Sequence, residues 1–235
     1  MPSQLSLTRW LLIAGVVLSC RVQAITISPV LVELSTARRV VSVTINNPSD
    51  QAMNIQAETL AWSQPDGANH YEPTEDLLVA PPIAEIPPQS SQIFRVTLRR
   101  PVSGTVEQAY RLVLEDVSEE LNPKPGVVAI RFKHNLPVFV IPPGEAKAAP
   151  RWSRCAAVAG KGCVRLDNDG SRHIRVSELT VAGQGWQQTI QGGAVLAGTW
   201  KQWSFDLASG RSRPASVTAK TDQGAISADL SAPKP

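Results

Sequence analysis

Between residues 128 and 140 the chain alternates. Val128, Ile130, Phe132, His134, Leu136, Val138 and Val140 fall on one face of an extended strand, and only the histidine is not apolar. The intervening positions change character half-way. Ala129, Arg131, Lys133 and Asn135 make the first half two-sided, whereas 137–142 (PVFVIP) is apolar on both faces. The pattern predicts one long strand over 126–143, its first half at a sheet edge and its second half entering a core. Pro137 fits the edge, because it cannot donate to a central ladder.

The preceding residues repeat the same signal in shorter pieces. ITISPVLVEL (25–34) alternates, and Val41, Val43 and Ile45 share a face before the turn Asn46-Asn47-Pro48-Ser49-Asp50. MNIQAETLAW (53–62), QIFRVTL (92–98) and AYRLVLEDV (109–117) follow, separated by polar loops and by the two proline pairs of 77–88, which deny that segment a helix. About seven strands and no convincing helix predict an immunoglobulin-like sandwich over 25–144, without a Cys-Trp-Cys core. Residues 145–150 (EAKAAP) read as a linker opening a second β domain over 145–235. Its expected strands are a hairpin over 155–163, then 163–166, 173–181, 194–198, 200–207, 216–219 and 224–230. The fold class is therefore all-β, with two sandwich domains.

The first 24 residues stand outside this pattern. Arg9 precedes the short apolar run WLLIAGVVL (10–18), and Val22-Gln23-Ala24 fits a cleavage site, so the segment reads as a secretory signal peptide. The run is too short to span a bilayer, which takes roughly 20 apolar residues, so no membrane insertion is expected after cleavage. A lipid-modified Cys20 fits the flanking residues poorly. Without Arg9 and Arg21 the formal charge of +3 falls to +1, which excludes a chain built to bind nucleic acid. Cys155 and Cys163 then remain as an even pair in an exported chain, and they read as a disulfide across a short hairpin.

Candidate chemistry is sparse. His70, His134 and His173 are far apart in sequence and none has metal-ligand spacing; no cysteine is left over for a metal. There is no GxSxG elbow, no phosphate loop and no GxGxxG before a helix. Glu115 and Asp116 are adjacent on a strand and point to opposite faces, so they do not form a carboxylate dyad. No cofactor, no metal and no enzymatic activity are expected.

The order of these segments resembles the PapD-like family, the periplasmic chaperones of pilus assembly. ISPVLVEL with VSVTINNPSD looks like the family's first two strands, AYRLVLEDV like its F1 strand, and 126–143 like the neighbouring G1. VRLDNDGSRHIRVSELTV followed by VLAGTWKQW is similar to the N-x-G-x-x-H and G-x-x-x-x-W segments of the non-classical, or archaic, branch.

The resemblance implies two immunoglobulin-like sandwiches in an L- or boomerang-shaped arrangement in the periplasm of a Gram-negative cell. Its partners would be pilin subunits and an outer-membrane usher, and the free protein could self-associate through its exposed edge. G1 would complete a subunit's unfinished fold by donor-strand complementation, with Val128, Ile130 and Phe132 as the donated side chains. If those residues instead faced this protein's own core, they would be structural only. In the best-known branch an Arg in the first strand and a Lys in G1 hold the subunit's C-terminal carboxylate. Here those places hold Leu31 and about Pro137, and the nearest cations are Arg111, then Lys133 and Arg131. A bidentate arginine suits a carboxylate best. Two other classes stay open: a structural pilus or coat component, which two complete sandwiches argue against, and an exported β-sandwich enzyme, which the scattered histidines argue against.

Overall fold

Period-two alternation runs through nearly every strand, and the architecture follows from it. A computed structural model describes residues 24–100, 104–118, 131–156 and 160–231. The signal segment, Val128, Ile130, most of the loop expected over 118–125 and the last four residues of the tail lie outside the described residues. The first ten strands are β1 (Thr26–Ser28), β2 (Val32–Leu34), β3 (Val40–Asn47), β4 (Met53–Ser63), β5 (His70–Pro73), β6 (Leu77–Ala80), β7 (Ile83–Ile86), β8 (Ser90–Leu98), β9 (Gln108–Asp116) and β10 (Lys133–Val140). They form two facing sheets. One has the order β1-β3-β8-β6; the other runs β2-β10-β9-β4-β5, with β7 also on the long β4.

The first segment belongs to both sheets. β1 pairs antiparallel with β3, whereas β2 pairs parallel with β10. Pro29, which has no N–H to give a ladder, stands where the chain crosses over. Between the sheets lie Val41, Val43 and Ile45 of β3, Phe94, Val96 and Leu98 of β8, Leu112 and Leu114 of β9, and Leu136, Val138 and Val140 of β10. Each such side chain contributes about 1.5–3 kcal/mol. Truncating fully buried Phe94 to Ala would cost about 3–5 kcal/mol. The apolar face read at the even positions of β10 is this inner face, except that His134 is exposed.

The second sandwich contains β11 (Pro150–Arg154), β12 (Lys161–Asn168), β13 (Ile174–Gly183), β14 (Trp186–Val195), β15 (Trp200–Asp206), β16 (Ser216–Thr221) and β17 (Gly224–Asp229). Its sheets run β11-β12-β15 and β14-β13-β16-β17. Cys155 and Cys163 are bonded, joining the end of β11 to β12 with Cα atoms 5.2 Å apart.

Two sequence expectations need correction here. Of the strand expected over 194–198, only Ala194 and Val195 are strand, as the end of the ten-residue β14, and 196–198 turn away from it. The polar run 187–193 hid that strand, and Gly192 explains its composition: a Cβ there would lie 2.1 Å from the carbonyl oxygen of Val176 on neighbouring β13. β11 also begins at Pro150, the last residue of the expected linker.

Candidate functional site

β10 changes neighbours along its length. All eight of its residues pair with β9, from Lys133↔Glu115 to Val140↔Gln108, but only Val138, Phe139 and Val140 also pair with β2. Among the described residues, 133–137 therefore present an open edge. The ladder continues one residue upstream of β10, since Asp116 N–H donates to the Phe132 carbonyl at 3.0 Å.

The outward face of this sheet carries the odd positions of β9 and β10. Arg111 sits in register with Pro137 on β10 and Leu60 on β4. Its guanidinium carbon stands 3.7 Å from the centre of the Trp62 ring and 5.7 Å from that of Tyr71. The Trp62 indole is fixed in turn by donating from Nε1 to Asn69 Oδ1 at 3.1 Å. Arg111 Nη1 donates to the Asn135 carbonyl at 3.4 Å, while its buried Nε has no hydrogen-bond acceptor among the described residues. Burial pushes the guanidinium below its ordinary pKa, opposed by Tyr71. Neighbouring charges are already matched: Lys133 Nζ lies 2.7 Å from Glu115 Oε2, and Arg172 Nη2 lies 2.8 Å from Glu33 Oε1. Arg111 has no carboxylate within 4 Å among the described residues, so the aromatic cradle holds an unneutralised charge in place.

At its far end the same face becomes the seam between the two sandwiches. Phe139 packs with Trp62 and with Leu196 of the second sandwich. The buried amide of Gln64 bridges the seam: Nε2 donates to the Ala194 carbonyl at 2.9 Å, and Oε1 accepts from Leu196 N–H and Thr199 Oγ1, each at 2.9 Å. Glu107 crosses it from just before β9. Its Oε1 lies 2.6 Å from His173 Nδ1 and accepts the His173 N–H at 3.0 Å, with both side chains buried. The Arg172 Nε is 3.8 Å from the other oxygen.

The turn before His173 is built to deliver it there. Asn168, fully buried, donates from Nδ2 to the carbonyls of Arg172, Val195 and Leu196 and accepts from the Ala149 and Gly170 N–H groups. Gly170 has no alternative, since a Cβ would lie 2.2 Å from the Lys147 carbonyl oxygen. A cavity of about 310 Å³ opens beside the seam, lined among others by Gln64, Asp76, Glu107, Tyr110 and Thr199. Its charged lining is acidic, so it disfavours a carboxylate.

Residues 24–146 match the family model described as the pili and flagellar-assembly chaperone, PapD N-terminal domain. The chain belongs to this PapD-like chaperone family. No curated protein matches it in sequence. Among solved structures it is similar to a chain of the CsuC–CsuE chaperone–tip adhesion subunit pre-assembly complex of the archaic Csu pili of Acinetobacter baumannii, with TM-score 0.70 and 18% identity over 87% of this chain and 98% of that one. The CupB2 chaperone of Pseudomonas aeruginosa gives 0.60 and 17%, over 87% and 100%. A chain of the Salmonella enterica SafA pilin complex with the SafB chaperone gives 0.61 and 15%, over 88% and 96%. All three share the two-sandwich fold.

In the chaperone, the residues singled out from sequence are distributed unevenly. Val128 and Ile130 are outside the described residues. Phe132 is half-buried against the first sandwich's own core and lies 4.9 Å from the His134 ring, centroid to centroid. Leu31 is 40% exposed immediately before β2, and half-buried Pro137 immediately precedes Val138, the first residue of β10 that pairs with β2. Arg131 is exposed. His70 pairs with Glu72 at 2.8 Å on the surface, and Asp116 caps the turn at Ser118. Sequence reasoning missed the seam. A histidine three residues after the glycine of an Asn-x-Gly turn was its one visible signal, and the glutamate that meets it lies 66 residues away.

Proposed function

We propose that this chaperone binds fimbrial subunits in the periplasm by strand addition along β10, caps them until assembly, and passes them to an outer-membrane usher. The open edge of residues 133–137, paired among the described residues with β9 alone, carries this reading, because an unpaired edge offers a subunit main-chain donors and acceptors in extended register. By sequence alternation Val128 and Ile130 fall in the same period-two phase as Phe132, and these three are the side chains to be donated. Three such side chains moving from water into a subunit groove supply about 5–9 kcal/mol before ordering costs. Phe132 marks the point where that face passes from the chaperone's own core toward the subunit.

Arg111 is the proposed anchor for the subunit's C-terminal carboxylate. It occupies the same register as Pro137, one strand over from the place where the best-known branch keeps its lysine. Lys133 is already engaged by Glu115, and Arg131 is exposed with no surrounding cradle, so both rank behind it. Residues 1–24 are the export signal, 25–144 carry the binding edge, and 145–235 form the second domain. The overall likeness to the Csu complex supports placement in the archaic branch. While no subunit is bound, the same edge can pair with a second copy of the chain.

The deciding experiment is periplasmic co-expression with pilin-like subunits from the same genome, followed by affinity recovery. Recovery of a one-to-one complex with a subunit that does not survive alone is the expected result. A monodisperse chaperone that recovers none overturns the proposal.

A further inference from the structure

The opposite sheet of the first sandwich carries a second surface with the composition of an interface. On its outward side, register aligns Val40 of β3, Thr97 of β8 and Leu78 of β6 in one rung, and Ser42, Arg95 and Ala80 in the next. Beyond the apolar rung, β3 is preceded by Arg38-Arg39 and β8 is followed by Arg99-Arg100. Arg39 donates to the carbonyls of Leu98 and Arg99 at 3.0 and 3.2 Å, which draws the two arginine pairs together. Val40 is 47% and Leu78 51% exposed, so two open aliphatic side chains flank Thr97 between Arg95 on one side and four arginines on the other.

None of Arg38, Arg39, Arg95, Arg99 or Arg100 has a carboxylate within 4 Å among the described residues. Several other strand-face cations are paired with acids, as in Lys161–Asp206, Arg165–Asp167 and Lys220–Glu178. Five arginines and no lysine around the exposed Val40 and Leu78 match the residue preferences of protein interfaces, where arginine is enriched and lysine depleted around an apolar centre. Like charges held together without counter-charges repel one another, and a partner rimmed with carboxylates removes that repulsion while taking bidentate hydrogen bonds. The rung lacks the aromatic rings that anchor a protein among lipid headgroups.

We propose that this face docks an acidic protein surface with an apolar centre, at a site separate from the subunit-binding edge. The probe is a labelled peptide of alternating Glu and Leu, with its Gln–Leu counterpart as control, titrated into the full mature chain by fluorescence anisotropy. Binding of the Glu–Leu peptide alone is expected, weakening about tenfold or more between low salt and about 0.5 M salt. Arg95→Glu with Arg99→Glu should lower affinity at least about tenfold, while Arg211→Glu with Arg213→Glu in the second sandwich should not. The first pair also separates this face from β10, because peptide added to the β10 edge would ignore it. The proposal is overturned if the Gln–Leu peptide binds equally, if both charge-reversed pairs behave alike, or if the chain ignores the peptide and binds phosphatidylglycerol vesicles through Arg95 and Arg99. Should a reversed pair lower the melting temperature, Arg95→Lys with Arg99→Lys keeps the charge but loses the fork, and an intermediate loss of affinity is expected.

Discussion

The imidazole of His173 lies flat on the ring of Phe139, with centroids 3.5 Å apart and planes 6° from parallel. Phe139 belongs to β10, the strand that presents the open edge, while His173 heads the second sandwich. The same imidazole is fixed from the side by Glu107, so the orientation of the second sandwich is read directly from the binding strand.

Removing one member of this buried pair leaves the other without a partner. Glu107→Ala and His173→Ala are each expected to cost about 3–5 kcal/mol in chemical denaturation, and the double variant less than their sum. Small-angle scattering of variants that remain folded should show a wider spread of shapes than the parent. Additive losses would mean the two side chains act independently.

Arg111→Ala should leave the free protein within about 1 kcal/mol of its original stability, because a cation–π contact is lost together with an unsatisfied buried N–H. Subunit recovery should nevertheless fall steeply. Arg111→Lys should not restore it, since an ammonium cannot form the two-pronged contact. A subunit with its C-terminal carboxylate amidated should bind the parent and Arg111→Ala equally; unequal binding would remove Arg111 from the anchor role.

Ile130→Ser is expected to abolish recovery of subunit with the melting temperature of the free chaperone unchanged. Phe132→Ser should do both kinds of damage, lowering recovery and also costing stability, because its ring already packs on the first core. If both variants unfold the free protein without affecting capture by the folded fraction, the donated face lies elsewhere.

Tyr110 supplies a pH signature. It is buried, its hydroxyl donates to Asp76 Oδ2 at 3.0 Å, and burial first, then Asp76, push its pKa well above the ordinary 10.0. The folded chain holds this proton more tightly than the unfolded chain. Its contribution is therefore fully present below pH 10.0 and is lost as pH rises above that value. Alkaline denaturation should steepen above pH 10.0, and Tyr110→Phe should flatten that segment while costing about 1.5–3 kcal/mol at neutral pH.

The strands of the first sandwich were legible because most are half-buried and alternate cleanly. Pro137 also marked where β10 stops being an edge. β14 was obscured by its own solution to crowding, a polar, glycine-bearing run whose small residues let it approach β13. The charged residues of the binding face could be named from sequence, but not ranked. Arg111 differs from Lys133 only through Trp62 and Tyr71, which reach it from another strand and a hairpin, and through Glu115, which occupies the lysine. His173 looked like an isolated histidine because its partners, Glu107 and Phe139, are brought to it only when the two sandwiches meet.

The crossover at Pro29 constrains the order in which the protein can take shape as it is made. β2 stands near the start of the first sandwich in the chain, yet the strand it pairs with among the described residues, β10, comes near that sandwich's end. The second sheet cannot close until more than half of the chain is available, and contacts so distant in sequence form slowly. The open edge is thus among the last features of its own domain to be completed, and a partly synthesised chain does not yet present it.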